Sequence, residues 1–307
     1  MQLSSSFLCM LLGATGMVNA LNIKAMSFNI RYAEKNPKGN EKPWGKADCG
    51  GSCRAPGVIG SIVDADKAAS AGGGALLPGL QEVLDDQRKD ILTALGSQWA
   101  SVGTGREDGK AKGEFSPILY RTDVWNLIVE RTRWLSETPN KPSKSFGAGS
   151  TRIVTMAILE HKATRKRVLR ANCHLDNVSS EAREKGVAIA VDQIKQLQAE
   201  QADPKAMLPI MLTGDFNADA SDVAYQNMVK IGLLEDAYNM VDAKARKGEF
   251  GTYTSFENNG KARIDFVWLG PLPAKPFKAT AYEAINNVKG PVMFSDHRPV
   301  VADTTLA

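Results

Sequence analysis

The stretch Leu208–Asp219, LPIMLTGDFNAD, decides how this chain is read. Pro209 to Thr213 is a run of apolar and β-prone residues, which predicts a short buried strand. Gly214 then turns the backbone, and Asp215, Asn217 and Asp219 follow at alternate positions. A strand ending this way delivers side chains at its carboxyl tip, where α/β sheets hold functional loops on a rigid scaffold. Asp supplies a hard anionic oxygen, and Asn an amide that both donates and accepts. Such a pair suits a divalent ion and a phosphate oxygen. It also suits an Asx-turn, which the same residues favour, so the remaining strands must separate the two readings.

Working outward, other segments repeat the arrangement. Leu21 to Ile30 alternates as a strand and ends at Asn29, and Ala75 to Leu80 is a second buried strand with Gln81-Glu82 at its tip. Val102 to Arg121 is Gly-rich and charged and closes in a strand at Ile118-Leu119-Tyr120. Strands are expected around 125–135, 152–160 and 166–173, the last running into His174-Leu175-Asp176. Thr252 to Phe256 and Ile264 to Leu269 read as strands, the second carrying Asp265, and Ser295-Asp296-His297 precedes a closing strand from Pro299 to Ala302. Helices are expected at 58–70, broken by Gly72-Gly73-Gly74, at 85–95 with Asp85 and Asp86 in the first turn, where acids suit the helix dipole, and at 181–201 and 221–231. Residues 31–57 read as a long polar loop. Helices fall singly between strands, and no repeat or linker divides the chain. Two stacked sheets with helices outside fit that order.

The chain has 307 residues, 43% of them hydrophobic, enough for a sizeable core. Lys and Arg number 38 against 34 Asp and Glu, a surplus of +4 that permits an anionic partner without demanding one. Residues 1–20 carry no charged side chain; an apolar run opening at Phe7 ends in Val18-Asn19-Ala20. This predicts a secretory signal peptide at 1–20, with 21–307 as a single extracellular domain; a buried first helix is the alternative. No other stretch is long enough to span a bilayer, so no membrane insertion is expected. In an oxidising compartment Cys49 and Cys53, in DCGGSC, are expected to pair, and Cys173 to be a buried, inert thiol.

Asn29, Glu82, His174, Asp215, Asn217, Asp265, Asp296 and His297 all lie at or just past the end of an expected strand, and two of the three histidines are among them. Here the chain resembles the endonuclease/exonuclease/phosphatase superfamily, which includes pancreatic-type deoxyribonuclease, inositol polyphosphate 5-phosphatases and sphingomyelinases. The motifs SFNIRY, LQEV, GTGREDGKAKGEFSPILYR, CHLD, TGDFNAD, RIDFVWL and SDHRPV occur in the family's order and span nearly all of 21–307. The GREDG…GEFSPILYR stretch, followed by WLSETP, is similar to a branch of secreted fungal and bacterial members.

The resemblance implies a four-layer α/β sandwich: two packed, mostly antiparallel β-sheets flanked by helices. It implies phosphoester cleavage with a divalent metal, Mg²⁺ by preference with Mn²⁺ or Ca²⁺ as substitutes. Mg²⁺ prefers oxygen ligands and binds through one or two carboxylates plus the substrate. Glu82 is the expected main ligand, with Asn29 beside it and Asp296 a further candidate. His297 would take the proton from the attacking water while Asp265 orients its ring, and His174 would assist at the phosphate or the leaving oxygen. Asp215 would place the water or hold a second ion, and Asn217 would hold a phosphate oxygen. Arg152 matches an arginine that faces the phosphate, where a guanidinium gives two parallel bonds. Arg106 either reaches the substrate or, with Glu114, staples its loop.

Departures from the family pattern are informative. Cys173 stands where the family usually has Thr, and Asn177 where His often follows HLD; Asn177-Val178-Ser179 is also the chain's single glycosylation sequon. The glutamate that partners the His174 equivalent in deoxyribonuclease has no clean match before Gly103; Glu114 and Asp108 are the candidates. His161 is expected to be solvated, Trp134 and Trp268 to be core, and Tyr120 either to pack or to face the site. The expected activity is that of a monomeric nuclease cutting DNA or RNA. The alternative is a phosphatase or phosphodiesterase for small phosphoesters, phosphoinositides or phospholipid head groups. A non-catalytic binding protein is disfavoured by the complete residue set.

Overall fold

A computed structural model describes residues 20–45, 51–201, 207–257 and 259–307. In chain order the elements are β1 (Leu21–Asn29), α1 (Ala55–Ala71), β2 (Ala75–Gln81), α2 (Asp85–Leu95), β3 (Trp99–Val102), β4 (Ile118–Arg121), β5 (Trp125–Trp134), β6 (Ile153–His161) and β7 (Arg167–His174). There follow α3 (Ser180–Gln201), β8 (Ile210–Asp215), α4 (Val223–Ile231), β9 (Glu235–Asp236), α5 (Ala237–Met240), β10 (Arg246–Gly248), β11 (Asp265–Gly270), β12 (Phe277–Ala284), the short hairpin β13 (Val288–Lys289) and β14 (Val292–Met293), and β15 (Val300–Leu306).

Two sheets result. One has the order β10-β12-β15-β1-β2-β4-β3 and the other β5-β6-β7-β8-β11-β9. Most neighbours are antiparallel; β1–β2, β7–β8 and β10–β12 are parallel. The first two of these parallel pairs need a crossover, supplied by α1 and α3. Local chemistry sets the helix ends. Pro56 sits in the first turn of α1, and α4 starts where the Asp222 carboxylate accepts from Ala224 N at 2.9 Å and stops at Gly232 with φ 67°.

Three apolar layers make the four-layer sandwich. Ile23, Leu77, Ile118, Leu159, Val267 and Val300 belong to the layer between the sheets. Met26, Leu76, Val58, Ile62 and Ile91 pack α1 and α2 on the first sheet, and Val187, Ile194, Leu212, Met228 and Trp268 pack α3 and α4 on the second. Burying these faces is the main driving force for the architecture.

Toward the strand tips the inter-sheet layer turns polar. Arg170, fully buried on β7, donates to the carbonyls of Met26 and Leu77 on the first sheet (3.2 and 3.3 Å), to Met211 O and Thr213 Oγ1 on β8 (3.3 and 2.7 Å), and to Ala171 O. Asn172 Nδ2 donates to Leu80 O and Pro117 O at 2.7 and 3.1 Å, while its Oδ1 accepts from Gln81 Nε2 at 2.7 Å and Thr213 Oγ1 at 2.9 Å. These hydrogen bonds run from one sheet to the other, so the network fixes one sheet's position against the other near the tips. Gly79 makes room for it: a Cβ there would lie 2.3 Å from Thr213 Oγ1 and 2.6 Å from Asn172 Oδ1.

Several expectations change. Thr252–Phe256 is not a strand. Its backbone bonds go to loop partners (Thr252 N to Ala262 O, Thr254 N to Asp296 O), Ser255 and Phe256 have φ of 52° and 58°, and only Tyr253 bridges to His297. The short strand β3 and the alternating FKATAYEA strand β12 were not expected. Tyr120 packs in the inter-sheet layer. His161 is half-buried, edge-on to Trp125 at 5.2 Å, rather than simply solvated. Trp134, Trp268 and Cys173 are buried as expected, and burial pushes the Cys173 thiol up to about 12. Residues 1–19, where the signal peptide is expected, and Cys49, the expected partner of the buried Cys53, lie outside the described residues. Among the described residues no helix is long and apolar enough to cross a membrane.

Gly79→Ala should overpack the inter-sheet network and cost about 1–3 kcal/mol. Gly72→Ala, at φ −83° with its nearest neighbour 3.4 Å from the new Cβ, should stay within about 0.5 kcal/mol of wild type. Urea unfolding of the two variants checks the contrast, and equal losses would show that the close approach at Gly79 carries no special cost.

Candidate active site

Sheet register assembles the site. Asn29 pairs with Gln81 across β1–β2, so Glu82 emerges beside it; His174 pairs with Asp215 across β7–β8, and Asp265 pairs with Asp215 across β8–β11. The tips of both sheets thus end level, and the segment before β15 brings Asp296 and His297 over them. A pocket of about 590 Å³ opens there, walled by Glu82, Arg106, Glu114, Arg152, His174, Asp215, Asn217, Asp296 and His297, with Arg31, Tyr32, Ser150, Asn177 and Tyr253 toward its rim. Asn29 and Asp265 stand directly behind it, both fully buried. Glu82, Asn217 and Arg31 have φ of 58°, 47° and 58°. Such left-handed non-glycine backbone costs on the order of 1–3 kcal/mol per residue and persists where the surroundings hold it.

Asp215 is the hub. Its Oδ2 accepts from Asn29 Nδ2 at 2.9 Å and lies 3.4 Å from His174 Nε2 and 3.6 Å from His297 Nε2; its Oδ1 accepts from Asn217 N at 2.8 Å. Burial pushes this carboxyl up to about 7, with the His297 charge pulling the other way. His297 Nδ1 donates to Asp265 Oδ2 at 2.8 Å. Burial works to lower the His297 imidazole, but Asp265 and Asp215 outweigh it and hold it well above the usual histidine range.

His174 is the opposite case. Burial, then the Arg152 and Arg106 charges, hold it well below the usual range, so it is neutral. Asn217 Nδ2 donates to its Nε2 at 2.9 Å, which leaves the proton on Nδ1, 3.9 Å from Glu114 Oε2. Glu114 in turn accepts from Arg106 Nη1 at 2.7 Å, and Trp134 Nε1 pins the loop by donating to Arg106 O at 2.7 Å. Arg106 and Glu114 therefore staple their loop and also reach the pocket. Of the two candidate partners of His174, Glu114 is the one beside it. Asp108 instead caps its own turn through Lys110 N and Lys112 N.

Glu82 accepts from Asn29 Nδ2 at 3.0 Å and Tyr32 N at 3.2 Å. Asn29 uses its Oδ1 on Arg31 N at 2.9 Å, so in this arrangement it orients the Glu82 and Asp215 carboxylates. Burial raises the Asp296 carboxyl, and its Oδ1 is buried without a hydrogen-bond partner. Arg152 gives one Nη2–H to Asn177 Oδ1 at 3.0 Å, and its Nε lies 3.7 Å from Asp176 Oδ2; its Nε and Nη1 are buried without hydrogen-bond partners. Buried polar atoms without partners are rare and costly. Several such atoms occur among the described residues; those at the pocket are Asp296 Oδ1, Asp265 Oδ1, His174 Nδ1 and Arg152 Nε and Nη1, an arrangement that fits a cation on the carboxylate side and an anion at Arg152.

The residues fit a divalent cation. Glu82, His174 and Asp215 each offer a ligand atom within 4.8 Å of the others, as do Asp215, Asp265 and His297. The second group is already closed by its own hydrogen bond, which leaves Glu82 and Asp215, with His174 beside them, as the set that fits a divalent ion; Asp296 lines the same pocket but belongs to neither group. Ser295 was not singled out from sequence. Its hydroxyl donates to Asn29 O at 2.6 Å and accepts from His297 N at 3.1 Å, tying the two segments together. Arg31, bidentate to Glu41 at 3.1 and 3.3 Å, and Tyr253, edge-on to the His297 ring at 5.2 Å, were also missed, although Arg31 lies inside the SFNIRY motif.

Comparison with known proteins follows the same lines. The model of the endonuclease/exonuclease/phosphatase family matches residues 79–297. Among solved structures, a family protein from Bacteroides thetaiotaomicron is 28% identical over 94% of this chain and 99% of its own, with a TM-score of 0.73. A second, from Bacteroides vulgatus, is 28% identical over 93% and 99%, with a TM-score of 0.76. A mannosyl-6-phosphatase from Bacteroides thetaiotaomicron is 29% identical over 92% and 99%, with a TM-score of 0.72. No curated protein sequence gives a significant match. A motif set in the family's order, a sandwich with its site at the strand tips, and a model match covering most of the chain agree: the chain belongs to the endonuclease/exonuclease/phosphatase family.

Proposed function

We propose that the chain is a divalent-metal-dependent hydrolase of phosphoesters. The observation that carries this is the pairing of unsatisfied groups in one pocket, acceptor at Asp296 and donors at Arg152, flanked by two imidazoles in opposite protonation states. Glu82 and Asp215, with Asp296 lining the same pocket and the Asn29 amide behind them, would hold Mg²⁺, or Mn²⁺ or Ca²⁺ in its place. A bound divalent ion neutralises charge that builds on the phosphate and makes phosphorus more electrophilic.

The chain's own groups supply the rest. Arg152, whose Nε faces Asp176 and whose Nη2 is taken by Asn177, offers Nη1 to a phosphate oxygen, and Asn217, which holds His174 through its amide nitrogen, lines the pocket with it. His297, held in its positive form by Asp265 and Asp215, can take the water's proton at Nε2 only after losing its own, so turnover through this group should rise with pH; Asp265 on Nδ1 then stabilises the imidazolium that re-forms. His174, neutral with Glu114 beside it, has Nδ1–H as its free donor and would assist at the phosphate or the leaving oxygen by a hydrogen bond.

The sequence put nucleic acid first among substrates. We place a small phosphoester first: a pocket of about 590 Å³ has the size usual for small-molecule sites. The mannosyl-6-phosphatase among its relatives supports that choice. Nucleic acid is the second reading, supported by the Arg152 match and the +4 balance. Kinship with the secreted fungal branch and export rest on the GREDG…GEFSPILYR motif and the uncharged apolar stretch at 1–20. Pairing of Cys49 with Cys53 belongs to the same reading. One chain carries the complete residue set, which supports a monomer.

Incubation with sugar phosphates, inositol phosphates, sphingomyelin, plasmid DNA and RNA, with Mg²⁺ or with EDTA, tests the reading. Phosphate release from small esters that EDTA abolishes is expected; polymer degradation alone selects the nuclease, and silence on every substrate sinks the hydrolase. His297→Ala and Glu82→Ala should each lower kcat about a hundredfold or more with the fold intact. Glu114→Gln should lower kcat about tenfold or more, and Asp108→Asn should stay within about twofold. If the two acids behave alike, Glu114 is not the partner of His174.

A further inference from the structure

Arg54 lies outside the pocket, is fully buried, and opens α1. All five of its N–H groups go to main-chain carbonyls. Nε donates to Lys42 O at 2.9 Å, Nη1 to Ile30 O at 2.8 Å and Phe294 O at 3.2 Å, and Nη2 to Arg31 O at 3.2 Å and Tyr32 O at 2.9 Å. The nearest carboxylate, Glu41, is 3.9 Å away and is shared with Arg31. The rings of Trp44 and Phe256 lie within 5.8 and 5.9 Å of its guanidinium carbon.

The carbonyls are not a random set. Ile30, Arg31 and Tyr32 follow Asn29 directly. Phe294 precedes Ser295, Asp296 and His297. Tyr32 N holds Glu82 at 3.2 Å, and Arg31 N holds Asn29 at 2.9 Å. These two segments come from opposite ends of the chain and have no ladder between them at this point; Ser295 Oγ to Asn29 O is their other link. We propose that Arg54 is a positioning residue for the active site: its saturated guanidinium clamps the 30–32 and 294–297 segments into one unit and so sets where Glu82, Asn29, Asp296 and His297 point. A lysine keeps the charge but offers at most three donors without the planar fork, so it cannot hold five carbonyls. Loops bearing catalytic groups need such external ties because their backbone groups lack sheet partners.

A structural role alone would also explain a buried arginine, and the test separates the two. In Arg54→Lys, amide hydrogen exchange at 30–32 and 294–297 should quicken together, by about tenfold or more, while exchange within β1 and β2 stays as in wild type. A uniform increase over the whole chain, or a change in one segment alone, overturns the proposal. On a substrate from the panel above, kcat of the folded variant should fall about tenfold or more with KM within about threefold, since misplacement of catalytic groups by a fraction of an ångström is costly. A wild-type kcat overturns the positioning role. Should the lysine variant not fold, native exchange of the wild-type protein in rising denaturant decides. Joint opening of the two segments at one free energy supports the clamp, and separate openings refute it. The exchange readouts need no substrate, so they stand or fall independently of the hydrolase reading.

Discussion

A single buried carboxylate, Asp215, joins both sheets at the pocket. It reaches Asn29 on the first sheet at 2.9 Å and lies within 3.4 and 3.6 Å of two imidazoles, one from β7 and one from the segment before β15. A charge buried to this degree is tolerated only with compensating donors on every side. The requirement constrains far more than the site. The sheets must meet in one register, β7, β8 and β11 must end level, and β1 must stop where its Asn faces Asp215. The polar layer of Arg170, Asn172, Gln81 and Thr213 beneath the tips holds that register, and Gly79 admits it.

The two histidines show how one pocket makes different reagents from the same side chain. Both are buried. His297 is backed by Asp265 and faces Asp215, so its positive form is favoured; His174 faces Arg152 and Arg106, so its neutral form is favoured. The sign of the neighbouring charge, rather than burial, separates them. Glu114 completes the set on the His174 side although it arises sixty residues earlier in the chain, from a loop whose fold is set by Asp108, Trp134 and four glycines.

Much of this was legible in the sequence, for physical reasons that vary by element. β1 alternates, β2 and β8 are nearly continuous apolar runs, and all three end in polar residues, so both the strand and its functional tip could be read. The eight residues at these tips do converge. The segment 252–256 misled because its alternation of polar and aromatic residues imitates a strand, whereas positive φ at Ser255 and Phe256 and loop hydrogen bonds keep it irregular. β3 has four residues and leaves too short a pattern to register. β12 alternates clearly, FKATAYEA, and could have been found. Glu114 against Asp108 could not be decided without the loop's path. Arg54 gave no signal at all, since its partners are backbone carbonyls, and carbonyls carry no sequence signature. Asn29, expected as a ligand, has its amide spanning two carboxylates, a contact the sequence does not announce.

The pocket thus divides into a carboxylate side for a cation and an arginine side for an anion, with proton-handling groups between them. Crystals soaked with Mn²⁺ and orthovanadate address that division directly through anomalous diffraction at the manganese edge. The arrangement described predicts a manganese peak within coordination distance of a Glu82 carboxylate oxygen, and vanadate bonded to Nη1 of Arg152 with an oxygen facing His297 Nε2. Manganese seated elsewhere, or vanadate bound away from Arg152, would contradict it.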